Sequence, residues 1–171
     1  VERGFIWDDT LENPTWEDND AVFRAPTKGV GSYNILMTNV GPNRTIYVRS
    51  YARNVKGVTL SATQSITTPK SRPRLVVNPV SSITNVSATL SGTLVFIGGE
   101  DITEQGFVIG TVNNPTIANS TRINVPVTQE GAFYSAEASG LAPNTKYNVR
   151  CFAVNSLGIS YSTQVNFTTL P

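Results

Sequence analysis

Tyr147-Asn148-Val149-Arg150-Cys151-Phe152-Ala153-Val154-Asn155 is the stretch on which the reading of this chain turns. Successive side chains of an extended strand point to opposite faces. Tyr147, Val149, Cys151 and Ala153 therefore fall on one side, and Asn148, Arg150, Phe152 and Val154 on the other. The first set is largely small and apolar and suits a sandwich interior, while the arginine of the second suits solvent. Upstream, Ser87-Ala88-Thr89-Leu90-Ser91-Gly92-Thr93-Leu94-Val95-Phe96 alternates with Ala88, Leu90, Gly92, Leu94 and Phe96 on one face, and Gly98-Gly99-Glu100-Asp101 turns the chain. Phe107 and Ile109 share a face of the next strand, and residues 122–127 and 132–138 supply two more. Turn residues separate these runs at intervals of roughly 8–12 residues, the spacing of sandwiches and barrels. No segment shows a 3.6-residue apolar period of useful length. The chain is predicted to be all-β.

Most of this text appears twice. Glu2-Arg3-Gly4-Phe5-Ile6 returns as Glu104-Gln105-Gly106-Phe107-Val108, and Asn13-Pro14-Thr15-Trp16 as Asn114-Pro115-Thr116-Ile117. Pro42-Asn43, Val48-Arg49 and Ala52-Arg53-Asn54 return as Pro143-Asn144, Val149-Arg150 and Ala153-Val154-Asn155. The spacing is domain-sized, not that of a short solenoid repeat. For 171 residues the length prior is one to two domains, and the repeat decides for two. Residues 1–68 form one unit and 75–171 the other. Residues 69–74, with two prolines and three bases across the Thr68-Pro69-Lys70-Ser71-Arg72-Pro73-Arg74 stretch, read as a short solvated connector. Nothing before Val1 corresponds to residues 75–102 of the second copy.

At Gly140-Leu141-Ala142-Pro143-Asn144-Thr145-Lys146-Tyr147-Asn148-Val149-Arg150 the second copy resembles the strand E to strand F corner of fibronectin type III domains, with their Leu-x-Pro-x-Thr-x-Tyr pattern. The flanking Glu104-Gln105-Gly106-Phe107-Val108, the Ala153-Val154-Asn155-Ser156-Leu157-Gly158-Ile159-Ser160-Tyr161 run and Phe167-Thr168-Thr169 look like the fibronectin-like repeats of Bacteroidota surface and secreted proteins. The resemblance implies two tandem fibronectin type III-like (immunoglobulin-like) β-sandwiches, the first lacking its first two strands. It makes Leu141, Pro143, Tyr147 and Cys151 structural residues. An inward tyrosine at such a corner buries its ring while its hydroxyl bonds nearby backbone. Ile46 occupies the aligned position of the first copy, so no tyrosine corner is expected there.

In the first copy the resemblance leaves a sheet covered by a single strand over residues 32–38. An uncovered apolar face of domain size forfeits free energy comparable to a whole domain's net stability, about 5–15 kcal/mol. Three readings stay open: the chain is a fragment whose remaining strands lie elsewhere, another chain adds strands by β-augmentation or exchange, or a neighbouring protein in an assembly closes the unit.

Composition bounds the chemistry. A net charge of +1 points to neither nucleic acid nor an anionic membrane, and no apolar run is long enough for a membrane span. Histidine is absent, which removes the commonest general base and metal ligand. Cys151 is the sole cysteine, so no intrachain disulfide forms, and its alternation with Tyr147, Val149 and Ala153 marks a buried, inert thiol. No catalytic residues, cofactor or metal site are assigned, and an enzyme is not expected.

The densest charge lies early: Glu2, Asp8, Asp9, Glu12, Glu17, Asp18 and Asp20 are seven of the twelve acids. Glu17, Asp18, Asn19 and Asp20 offer oxygen ligands for Ca²⁺, but lack the glycine-pinned spacing of a calcium loop, and read more simply as a solvated loop. Trp16, beside Pro14, could form a sugar-stacking platform or cover its own loop. Tyr47, Tyr51 and Phe152 are expected on outer sheet faces, where Arg49, Arg53 and Arg150 could meet carboxylates or phosphates. Trp16, Glu17, Asp18 and Asp20 are the candidate binding residues. The expectation is a non-catalytic extracellular or cell-surface spacer, adhesion or assembly module. Its partners would be other domains of the parent protein, or a chain completing the first unit. The alternatives are a glycan-binding surface protein, or a filament or virion component completed by a partner strand.

Overall fold

The computed structural model describes residues 1–38 and 40–171. Among these the secondary structure is all strand, and the chain divides into two compact units, Val1–Pro69 and Lys70–Pro171. No helix of the described residues is long and apolar enough to cross a membrane.

The second unit contains β6 (Arg74–Val77), β7 (Ser87–Phe96), β8 (Glu104–Gly110), β9 (Thr121–Val125), β10 (Phe133–Ser139), β11 (Lys146–Asn155), β12 (Gly158–Tyr161) and β13 (Val165–Thr168). One antiparallel sheet runs β10-β7-β6; the other runs β12-β11-β8-β9, with β13 also paired to β11. Leu75, Val77, Leu90 and Leu94 of the first sheet bury against Phe107, Ile109, Val149 and Cys151 of the second. This strand order is that of a fibronectin type III-like sandwich, built by interdigitation of two inward-facing rows. At the corner Tyr147 is half-buried and Pro143 exposed. The Ala142 amide donates to the Tyr147 hydroxyl at 3.0 Å, Leu141 is buried, and the Thr145 hydroxyl donates to the Pro143 carbonyl. Asn43 and Asn144 both adopt left-handed backbone after their prolines, so the Pro-Asn turn is built alike in both units.

The alternation of β11 is as read, but its second face is not solvent: Phe152 is 0% exposed. The guanidinium of Arg122 lies over its ring at 5.2 Å, and Arg150, far from free, donates to the Ser162 carbonyl and covers Tyr161. Residues 70–72 are exposed, and the stretch 71–73 is tied to the rest of Lys70–Pro171. Ser71 exchanges backbone and side-chain bonds with Gly98 and Asn155, Arg72 donates to the Leu157 carbonyl, and Pro73 is buried.

The first unit contains β1 (Glu2–Asp8), β2 (Ala21–Arg24), β3 (Thr45–Asn54), β4 (Gly57–Leu60) and β5 (Gln64–Thr67). They form one sheet, β2-β1-β3-β4 with β5 paired to β3, which is the β9-β8-β11-β12/β13 sheet over again. Even the register repeats: Phe5 opposes Ser50 and Trp7 opposes Val48, as Phe107 opposes Cys151 and Ile109 opposes Val149. Among the described residues of this unit there is no second sheet. The strand expected over residues 32–38 is not formed. Its counterpart β10 pairs with β7, and among the described residues of Val1–Pro69 no strand stands as a counterpart of β7 to receive it.

Candidate functional site

Exposure separates the two faces of the first sheet. On the outer face, Ile6 is 0% and Tyr51 2% exposed, matching Val108 and Phe152, both at 0%. On the inner face the units part company. Ile66 is 56% exposed where Phe167 is 6%, and Ala52 is exposed where Ala153 is 0%. Phe5, Trp7, Val48 and Ser50 are only half-buried. The row that forms a core in the second unit is thus a partly open surface in the first.

The outer face is closed by the loop of residues 9–20. Pro14 is fully buried, and Trp16 meets the Tyr51 ring edge-on with centroids 4.9 Å apart, while Arg53 lies over Trp16 at 5.2 Å. Tyr51 thus sits under a loop instead of decorating the surface, because Trp16 supplies the apolar cover. Its hydroxyl donates to Glu2, and burial, then that carboxylate, push its pKa up to about 12. Arg49 donates to the Ser61 and Pro14 carbonyls, tying loop to sheet.

The acidic residues divide. Asp18 closes a turn with Thr15, and the Asn19 amide donates to the Thr15 and Trp16 carbonyls. Glu17 and Asp18 remain exposed. The carboxylates that do converge are Asp8, Asp9 and Asp20, with oxygens within 4.8 Å of one another. Asp8 Oδ1 accepts from the Thr10 amide, the Thr10 hydroxyl and the Leu11 amide at 2.6–2.8 Å, and Asp20 accepts from the Asp9 amide. Burial penalises the Asp8 charge, but these bonds outweigh it and hold its pKa below the ordinary range. The loop clamp is therefore fully stabilising above the ordinary aspartate pKa and is lost as pH falls through the depressed value. An Asx-type turn after Asp8 was the available sequence signal. Sequence reasoning missed a recess of about 550 Å³ that Trp16 and Glu17 line together with Arg53 and Lys56.

Burial pushes the Cys151 thiol up to about 11, partly offset by the nearby Tyr134 and Ser162 hydroxyls. Thiol-reactive reagents at neutral pH are expected to leave the folded chain unlabelled and to label it fully in denaturant; rapid labelling of the native chain would place Cys151 at the surface.

No protein-family model and no curated protein matches the chain. Among solved structures, the short form of the sensor domain of the anti-sigma factor RsgI4 from Pseudobacteroides cellulosolvens is similar over 58% of this chain and 96% of its own, at 26% identity and a TM-score of 0.47. The chicken CNTN1 FN1-FN3 domains cover 99% of this chain and 56% of theirs, at 20% identity and a TM-score of 0.46. With scores this low, the sandwich assignment rests on the strand order and register given above.

Proposed function

We propose that this chain is a non-catalytic spacer, adhesion or assembly module of a larger extracellular or cell-surface protein, of the kind found in Bacteroidota. Two fibronectin type III-like domains, residues 1–68 and 75–171, follow one another in the sequence, joined by residues 69–74. Sandwich domains of this kind are typically spacers or binding modules, acting by setting distance and presenting surfaces. The carrying observation is the half-open inner face of the first sheet, whose counterpart in the second unit is a sealed core. Another domain of the parent protein, or a partner chain, supplies the missing layer; a filament or virion subunit completed by its neighbour is one form of this reading. Both tryptophans lie in the first unit, so their fluorescence reports its unfolding alone. That transition is expected at higher denaturant in the parent protein than in this chain; an unchanged midpoint overturns the reading.

The recess at Trp16, with Glu17, Arg53 and Lys56 on its rim, favours a second reading as a glycan-binding surface, with Asp18 and Asp20 on the same loop. In that case calorimetric titration against a glycan panel gives heat that Trp16→Ala abolishes. Absence of heat with the unsubstituted chain removes this second reading.

A further inference from the structure

In the first unit, residues 33–38 belong to no strand but carry a strand's burial pattern. Along residues 33–38, Tyr33, Ile35 and Met37 are half-buried while Asn34, Leu36 and Thr38 are exposed, Leu36 at 83%. The same two-residue period runs through β10, where Tyr134, Ala136 and Ala138 turn inward. The rings meet their phenylalanines alike, Tyr33 on Phe5 at 5.2 Å and 45° and Tyr134 on Phe107 at 5.2 Å and 46°, while the Tyr33 hydroxyl donates to the Gly4 carbonyl and that of Tyr134 has no partner among the described residues. What differs is the backbone. β10 pairs with β7 through Tyr134↔Gly92, Ala136↔Leu90 and Ala138↔Ala88. Residues 32–38 make no backbone-to-backbone hydrogen bond among the described residues. On the same face of β1 as Phe5, the indole N–H of Trp7 is buried without an acceptor among the described residues.

We propose that residues 33–38 are a docking edge for an extended polypeptide strand of β7's chemistry, added antiparallel from outside the first unit. This rests on the reading of that unit as completed from outside, and specifies where and by what. The second unit states the pattern. The residue facing Tyr33 is small, because at Gly92 an added Cβ would meet Cys151 Sγ at 2.4 Å and the Val76 carbonyl at 2.8 Å. Ser50 holds the place of Cys151. Residues facing Ile35 and Met37 are apolar, as Leu90 and Ala88 are. Exposed strand edges template such pairing, main-chain bonds giving affinity and alternate side chains giving selectivity.

The test uses the full chain and a synthetic peptide with the sequence of residues 74–96. Saturable binding is expected to slow exchange at every second amide of residues 33–38 roughly tenfold or more, with Cys151 still protected. Peptides carrying Gly92→Val or Leu90→Asp are expected to bind at least about tenfold more weakly, the second because an inward carboxylate loses its water. Equal binding by a scrambled peptide, or no slowing at saturation, overturns the proposal but leaves the broader reading standing. Dimerisation of the chain that slows the same amides without peptide also overturns it, making a second copy the occupant. Slow exchange there in the lone monomer overturns proposal and reading together.

Discussion

Phe107→Ala is expected to lower the stability of the second unit by about 3–5 kcal/mol, the usual cost of truncating a fully buried phenylalanine. Phe107 is 0% exposed, leans on Tyr134, and lies between the rows that close the sandwich. Its removal leaves a cavity that walls on both sides resist filling. Phe5 is the same residue at the same register, packed on a tyrosine at the same distance, yet half-buried. Phe5→Ala is therefore expected to cost clearly less, because much of its surface is already wet. Denaturant titrations separate the two. Tryptophan fluorescence follows the first unit, and reactivity of Cys151 follows the second. Equal losses in both units would mean that the inner face of the first sheet is as sealed as a core.

The second large effect is at a pair of glycines. Gly4 and Gly106 occupy matching positions in β1 and β8, each opposite an aromatic residue, Tyr51 and Phe152 respectively. A Cβ on Gly106 would stand 2.1 Å from the Ile123 carbonyl oxygen, and one on Gly4 would stand 2.0 Å from that of Phe23. Backbone is the obstacle, so no rotamer change relieves it. Overpacking of this kind costs typically about 1–3 kcal/mol. Gly106→Ala is expected to meet or exceed that by prising β9 from β8. Amide exchange in β9 should then rise well beyond that in β13, across the sheet. A variant with unchanged β9 protection would show that the sheet absorbs a side chain there.

The alternation of residues 147–155 and 87–96 made the sandwich legible, because one face of each strand is buried except at its end residue, Tyr147 or Phe96, and a two-residue period cannot hide. The repeat then carried the sheet of the first unit, down to the pairing of Phe5 with Ser50. Residues 32–38 were misread for a physical reason: their pattern is that of a strand, but a strand also needs a neighbour, and pairing is not written in a segment's own residues. Tyr51 differs from its expected outer-face exposure because Trp16, in a loop that carries no period, covers it, and Phe152 because Arg122 of the neighbouring β9 lies over its ring. Among the candidate binding residues, Trp16 and Glu17 share a recess, whereas Asp20 joins Asp8 and Asp9, a cluster closed by chain reversal rather than by sequence proximity.

Arg3 occupies the register position of Gln105, and both reach across the inner face to a threonine beyond the second strand of their sheet. Gln105 bonds Thr128, while Arg3 bonds Thr27 and the Gly31 carbonyl and lies over Tyr33 at 4.7 Å. The connection leading to residues 33–38 is therefore fastened at its start before any strand arrives. Its ordering entropy is lost when the first unit folds, not when a strand is captured. Capture should then be limited by the encounter of the two surfaces, with little search by the receiving segment.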